Sequence, residues 1–162
     1  VKKVIMVPVD TPRASSMLSG CRLTAYLTQS QTELLSPLDL FMLVREGFAF
    51  NDVKAMVSAS ELYSAAKILR RITGKSACSI QRQGNEGNIV RLNAQQSALA
   101  FQYAQALEHA ALVFGSQRLA EEWLGRPCKH LEGNVPLELI ENSLGFQVVE
   151  AYLQRIELGV YQ

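Results

Sequence analysis

From Ala110 to Tyr161 the chain carries apolar helical patterns broken by glycines and prolines at the places where helices end and begin. Such punctuation allows short packed helices and little else. The stretch reads A-x-x-VFG-x-x-x-x-A-x-x-WL-x-x-P-x-x-x-L-x-G-x-x-PL-x-LI, then LG-x-x-x-V-x-x-x-L-x-R-I-x-x-G-V-Y. Ser116 is placed to cap a helix whose Leu119, Ala120, Trp123 and Leu124 share a face, closed by Gly125 and Pro127. Pro136 opens a short helix, with Val135 where a Ser or Thr cap is normal and Asn134 as a substitute. A last helix carries Val149, Tyr152, Leu153 and Ile156 toward Gly159, while Phe146 and Val148 fall off that stripe. Exposed apolar residues on a terminal helix mark an interface when they are not isolated.

Upstream, Asn93-x-x-Gln96 is a capping box opening the longest helix, which runs to Phe114 before Gly115. Leu99, Tyr103, Ala106, Leu107, Ala110, Val113 and Phe114 form its stripe. The alanines at 104, 106, 110 and 111 permit close approach of another helix, in a domain core or at a dimer seam. Gly84 to Asn88 reads as a linker. Ser36-Pro37-x-Asp39 signals a helix start, continued by Leu38, Phe41, Met42 and Arg45 and stopped by Gly47. A second helix is expected over Asp52 to Ser58, capped by Asn51. Ser60 is read as the cap of a third, with Leu62, Ala65, Ala66, Leu69 and Ile72 at helical spacing up to Thr73-Gly74. A fourth begins at Ser76 with Ile80 turned inward, leaving Lys75, Ser79, Gln81, Arg82 and Gln83 to solvent. Two helices around a short Gly-containing turn is the helix-turn-helix pattern, although αα-corners that never touch DNA share it. Residues 1–35 form an arm that starts with a β-like apolar segment, Val4 to Val9.

The function classes that remain are narrow. With 162 residues and 48% hydrophobic content the chain holds one ordinary domain or two small ones. No apolar run is long enough for a membrane span, so a cytoplasmic protein is expected. Cys21, Cys78 and Cys128 lack paired spacing and read as reduced thiols. Cys128-x-His130 with His109 falls short of the four ligands of a structural zinc site. Glu121 and Glu122 are adjacent, about 100° apart on a helix, and read as a solvated face. Ser97 and Ser143 lack a nucleophile setting, and no glycine-rich nucleotide fingerprint follows a strand. The expectation is no catalytic residue, no metal, no cofactor and no small-molecule substrate. Charge is uneven: Lys67 to Arg91 holds six basic residues against Glu86 alone, and Glu108 to Gln162 holds four against eight acidic ones. Opposite charge in two regions points to different partners.

The C-terminal pattern resembles the toxin-binding domain of Xre/MbcA/ParS-like antitoxins, partners of RES-domain toxins. The F-G, A-x-x-W-L, G-x-x-P-L and L-x-R-I-x-x-G-V-Y elements occur in order from Leu92 to Tyr161. The whole chain resembles a RES-associated Xre antitoxin. The resemblance implies an all-α chain: an arm at 1–35, an Xre-like helix-turn-helix domain at 36–90 and a toxin-binding domain at 91–162. It also implies an antitoxin that occludes the cleft in which its toxin consumes NAD, and a homodimer that represses its own operon by binding operator DNA. Carried over, the toxin contacts are Phe146, Val149, Leu153, Ile156, Gly159, Val160 and Tyr161, with Trp123, Leu124, Pro136 and Leu137 assigned to the fold. DNA contacts fall on Lys75, Ser76, Ser79, Gln81 and Arg82. Arg70, Thr73, Lys75 and Cys78 depart from the usual residue types, and a long cation at 70 would alter the interhelical angle. The alternative is a stand-alone helix-turn-helix regulator whose C-terminal domain only dimerises.

Overall fold

The computed structural model describes residues 22–29, 35–83 and 89–159. The segment Val4 to Val9, the linker 84–88 and the residues Val160 and Tyr161 lie outside these. Secondary structure among the described residues is helical, apart from one isolated antiparallel bridge between Ala49 and Arg91. The order is α1 (Leu23–Thr28), α2 (Pro37–Glu46), α3 (Phe50–Ser58), α4 (Ala65–Thr73), α5 (Ala77–Gln83), α6 (Ala94–Phe114) and α7 (Gln117–Leu124). After a 3-10 turn (Lys129–Leu131) come α8 (Pro136–Leu139) and α9 (Ser143–Glu157).

Local chemistry sets most of these boundaries. Ser36 and Asp39 form a reciprocal capping box at α2, and Asn93 with Gln96 does the same for α6. Each cap satisfies N–H groups that have no partner inside the helix and is worth about 1 kcal/mol. Gly74 and Gly115 adopt the left-handed conformation that ends α4 and α6. Three caps differ from expectation. Ala49, not Asn51, precedes α3 and makes no side-chain cap bond; its helix starts two residues early because Phe50 is drawn into the core. Ser64, not Ser60, caps α4, and Ser60 instead accepts the Tyr63 N–H in the preceding turn. Asn134 does not cap α8; its side chain donates to the Leu131 carbonyl.

Helix α6 is the spine, packing against α1, α2, α4, α7 and α9. Ala100, Ala104, Ala106 and Ala110 are completely buried along it. The alanine face therefore serves the intramolecular core, where small side chains let helix axes approach closely. The helices on both sides of residue 91 share one apolar cluster, running from Leu23 and Phe50 through Leu107 to Leu153. A backbone strap joins them: Leu92 N–H donates to the Phe48 carbonyl at 2.9 Å and Phe50 N–H to the Val90 carbonyl at 2.8 Å. Ser97, fully buried, accepts the Phe48 N–H at 3.0 Å. Gly47 at the end of α2 has φ +90°, and a Cβ there would collide with the Leu92 carbonyl, so the strap requires glycine. Within the expected arm, α1 packs on α3 and α6, where Thr24 donates its N–H and hydroxyl to Glu108.

Glu121 overturns its sequence reading. It is 0% exposed, and its carboxylate accepts the N–H groups of Glu61 and Leu62 and the amide of Gln117. The Tyr63 hydroxyl donates to the Glu121 backbone carbonyl at 2.7 Å. The charge is thus bound into the turn between α3 and α4, which stitches that turn to α7 and satisfies its amides. Replacing Glu121 by Ala is expected to lower the unfolding free energy by about 2–4 kcal/mol, because it empties a fully buried position and leaves part-buried amides without their acceptor. Urea titration followed by circular dichroism measures this, with the parent chain as reference.

Candidate partner-binding face

Helix α9 is fixed from several directions. Asn142 accepts the Gly145 N–H at its start, at 2.8 Å. Gly145 lies so close to the Leu139 backbone that a Cβ would collide with its carbonyl, which lets α9 fold tightly back on α8. Val149 and Leu153 are 0% exposed and Phe146 and Ile156 are half-buried, lining the side turned to the core. Beside them runs an aromatic series. The Trp123 ring lies 5.2 Å from Phe114 and 5.8 Å from Tyr152, and His130 stacks on Tyr152 at 5.8 Å. The Arg155 guanidinium lies 6.0 Å from the Tyr152 ring, within cation–π range. Trp123 is therefore part of the packing under α9, as its apolar helical position implies.

The opposite side of α9 is also apolar. Leu144 is 73% exposed, Val148 48% and Leu158 76%, and Ala151 and Arg155 are exposed as well. Positions 144, 148, 151, 155 and 158 follow helical spacing and form one outward stripe. Scattered exposed leucines need no explanation, whereas an aligned set on a helix already buried along its other side makes that side a candidate docking face. This revises the carried-over contacts. Val149 and Leu153 are core residues, since their stripe is the one that closes on α6, and they cannot meet a partner without unfolding. Phe146 and Ile156 lie at its margin. Gly159, at φ +69°, turns the chain out of the helix, and Val160 and Tyr161 lie beyond the described residues. Val148 already stands off the inner stripe in the sequence, and the structure adds Leu144 and Leu158 to its exposed side.

The α4–α5 region keeps the expected outline, with Gly74 left-handed between the helices and Ile80 buried. Lys75, Ser76, Ser79 and Arg82 are exposed; the Gln81 side chain lies outside the described atoms. Ser76 accepts the Ser79 N–H at 3.3 Å. Arg70 is exposed, so its length does not intrude between the helices. Thr73, buried, bonds the Leu69 and Lys75 carbonyls and accepts the Lys75 N–H, and so organises the turn. The basic region is less available than its composition implies. Arg71 pairs with Glu141 at 2.7 Å and reaches Glu138 at 3.7 Å, while Arg91 donates to the Gly47 carbonyl at 2.7 Å.

The histidines and Cys128 do not converge. His109 on α6 contacts Glu150 at 2.8 Å and Glu157 at 3.4 Å, both on α9, whereas His130 stacks on Tyr152. The Glu150 hydrogen bond raises the His109 pKa above its ordinary value against the opposing effect of burial. Among the described residues no group of three or more His, Cys, Asp or Glu could hold a metal ion. No described helix is long and apolar enough to cross a membrane.

The two faces of α9 separate by mutation. Leu153→Ala is expected to lower stability by about 2–5 kcal/mol through a core cavity, whereas Leu144→Ala changes it by less than about 0.5 kcal/mol. Chemical denaturation of the two variants checks the assignment, and a Leu144 variant as unstable as the Leu153 one contradicts it.

Residues 109–159 match the antitoxin Xre/MbcA/ParS C-terminal toxin-binding domain. Comparison with curated whole proteins gave no match.

Proposed function

Because residues 109–159 match the Xre/MbcA/ParS toxin-binding domain, we propose that this chain is an antitoxin that neutralises a RES-domain toxin by laying the outer face of α9 and the following residues over the cleft in which the toxin consumes NAD. The observation that carries the reading is the outward stripe Leu144, Val148 and Leu158 on the last helix of the matched domain. It leads directly to Gly159, Val160 and Tyr161, so one continuous element would supply both anchor and plug. The inner stripe, Val149 and Leu153, holds that element in place. The chain itself performs no chemistry in this mechanism and uses no cofactor, metal or small-molecule substrate. Its action is steric exclusion, with affinity concentrated in a few apolar and aromatic anchors.

The regulatory part of the proposal rests on α4 and α5. Lys75, Ser76, Ser79, Gln81 and Arg82 would meet operator DNA, and a homodimer would present two such units to a palindromic site. The division into 36–90 and 91–162 is then one of function within a shared core. A cytoplasmic setting follows from partners of this kind. A stand-alone regulator is the second reading, favoured by the exposed basic residues Arg70, Lys75 and Arg82.

Co-purification with the product of the adjacent gene, followed by an NAD-consumption assay, tests the main proposal. The parent chain is expected to bind that product and suppress NAD loss; failure to bind leaves the regulator reading. Val148→Asp places a charge in the docking face and is expected to weaken binding at least about 30-fold, equivalent to a hot-spot loss of about 2 kcal/mol or more, with the fold unchanged. Deleting Gly159 to Gln162 is expected to leave a folded helical chain that no longer protects cells, and retained protection removes the tail from the inhibitory site. Arg82→Ala is expected to weaken operator binding and reduce its salt slope by about one, with toxin neutralisation unaffected. A salt-dependent mobility-shift series measures both quantities.

A further inference from the structure

Behind the outward stripe, α9 is attached to the spine by a polar contact that the docking mechanism does not itself use. His109 projects from the C-terminal third of α6 with its side chain 16% exposed and meets two carboxylates of α9. Its Nδ1 lies 2.8 Å from Glu150 Oε2 and its Nε2 lies 3.4 Å from Glu157 Oε2. Both ring nitrogens donate only when the imidazole is protonated, so the bridge is complete only in the charged state. The two carboxylates are not equivalent. Glu150 is largely buried, with one oxygen lacking a hydrogen-bond partner, whereas Glu157 is well exposed in the last turn before the tail. Between them His109 spans the C-terminal half of α9, the part from which Leu158 and the tail extend.

We propose that protonated His109 is a positioning residue for the docking face, holding the C-terminal half of α9 against α6 so that partner binding weakens as the imidazole loses its proton. The inference rests on α9 being the toxin-docking helix, and it adds a pH dependence to that helix. The charged groups that face His109 are Glu150 and Glu157; its neighbour on α6, Glu108, is turned to Thr24 of α1. Both facing carboxylates raise the imidazole pKa, with burial working in the other direction. The sign follows from linkage. A histidine whose folded pKa is raised contributes its full stabilisation below the unfolded value, near 6.5, and loses it as pH climbs through the raised value.

The first arm needs no toxin. Hydrogen exchange of the amides from Ala151 to Leu158 in the full chain, corrected for intrinsic rate, is compared at about pH 6 and about pH 8.5. Protection in the parent is expected to fall on going to the higher pH, as the raised imidazole pKa is passed. In His109→Gln it is expected to be low and flat across that range. Glu157→Gln, an exposed change that leaves the core intact, is expected to reduce protection in the same segment and to lower the imidazole titration midpoint read by NMR. A parent whose protection ignores pH, or an imidazole titrating at or below its ordinary value, overturns the proposal. The second arm uses the toxin from the adjacent gene. The ratio of parent to His109→Gln affinity is expected to be large at the acidic end and to approach one at the alkaline end. A ratio of one throughout overturns the positioning role. Absence of binding by the parent removes the antitoxin reading instead, and the positioning of α9 is then decided by exchange and titration alone.

Discussion

The close packing of α6 is the constraint on which the other elements depend. Its buried alanines leave no side-chain bulk between helix axes, so α7 and α9 settle directly on its surface and the long helix becomes a template for both halves of the chain. Packing at such short range responds to single methyl groups, and larger residues at Ala104 or Ala106 would separate the helices rather than fill a void. The same face cannot then act as a dimer seam. Fixed contacts at the ends keep the arrangement in register: the Phe48–Leu92 strap on one side and the close approach of Gly145 to the Leu139 backbone on the other.

That template explains how one helix can be both structural and available. The inner residues of α9 are consumed by the spine, and the capping, aromatic and histidine contacts hold it at both ends. Its outer stripe is consequently presented on a rigid element, which lowers the ordering entropy that a partner complex would otherwise have to overcome. In the proposed docking role α9 needs no chemistry of its own, only apolar area and the nearby cation Arg155.

Local signals in the sequence were strong enough to identify most helices. The capping boxes at Ser36 and Asn93 and the glycine stops at Gly74 and Gly115 are short-range effects, and they were readable because each satisfies backbone groups within a few residues. The misread caps at Asn51 and Ser60 lay where core packing of Phe50 and the Glu121 contact outweighed local preference. Glu121 itself was illegible because its acceptors come from a turn about sixty residues away. The presence of apolar stripes on α9 was legible, and which of them is buried was not. Apolar periodicity in α9 reveals a buried stripe but cannot say whether it closes on the chain or on a partner, and the conspicuous Val149 and Leu153 turned out to serve the core. The less regular Leu144 and Val148 are the exposed ones.

The most direct measurement of the central claim is a differential hydrogen-exchange footprint of the full chain with and without the toxin from the adjacent gene. The account predicts added protection concentrated over residues 143–159, on a helix already folded in the free chain, with α2 unchanged. Protection appearing elsewhere, with none gained over α9, would contradict it.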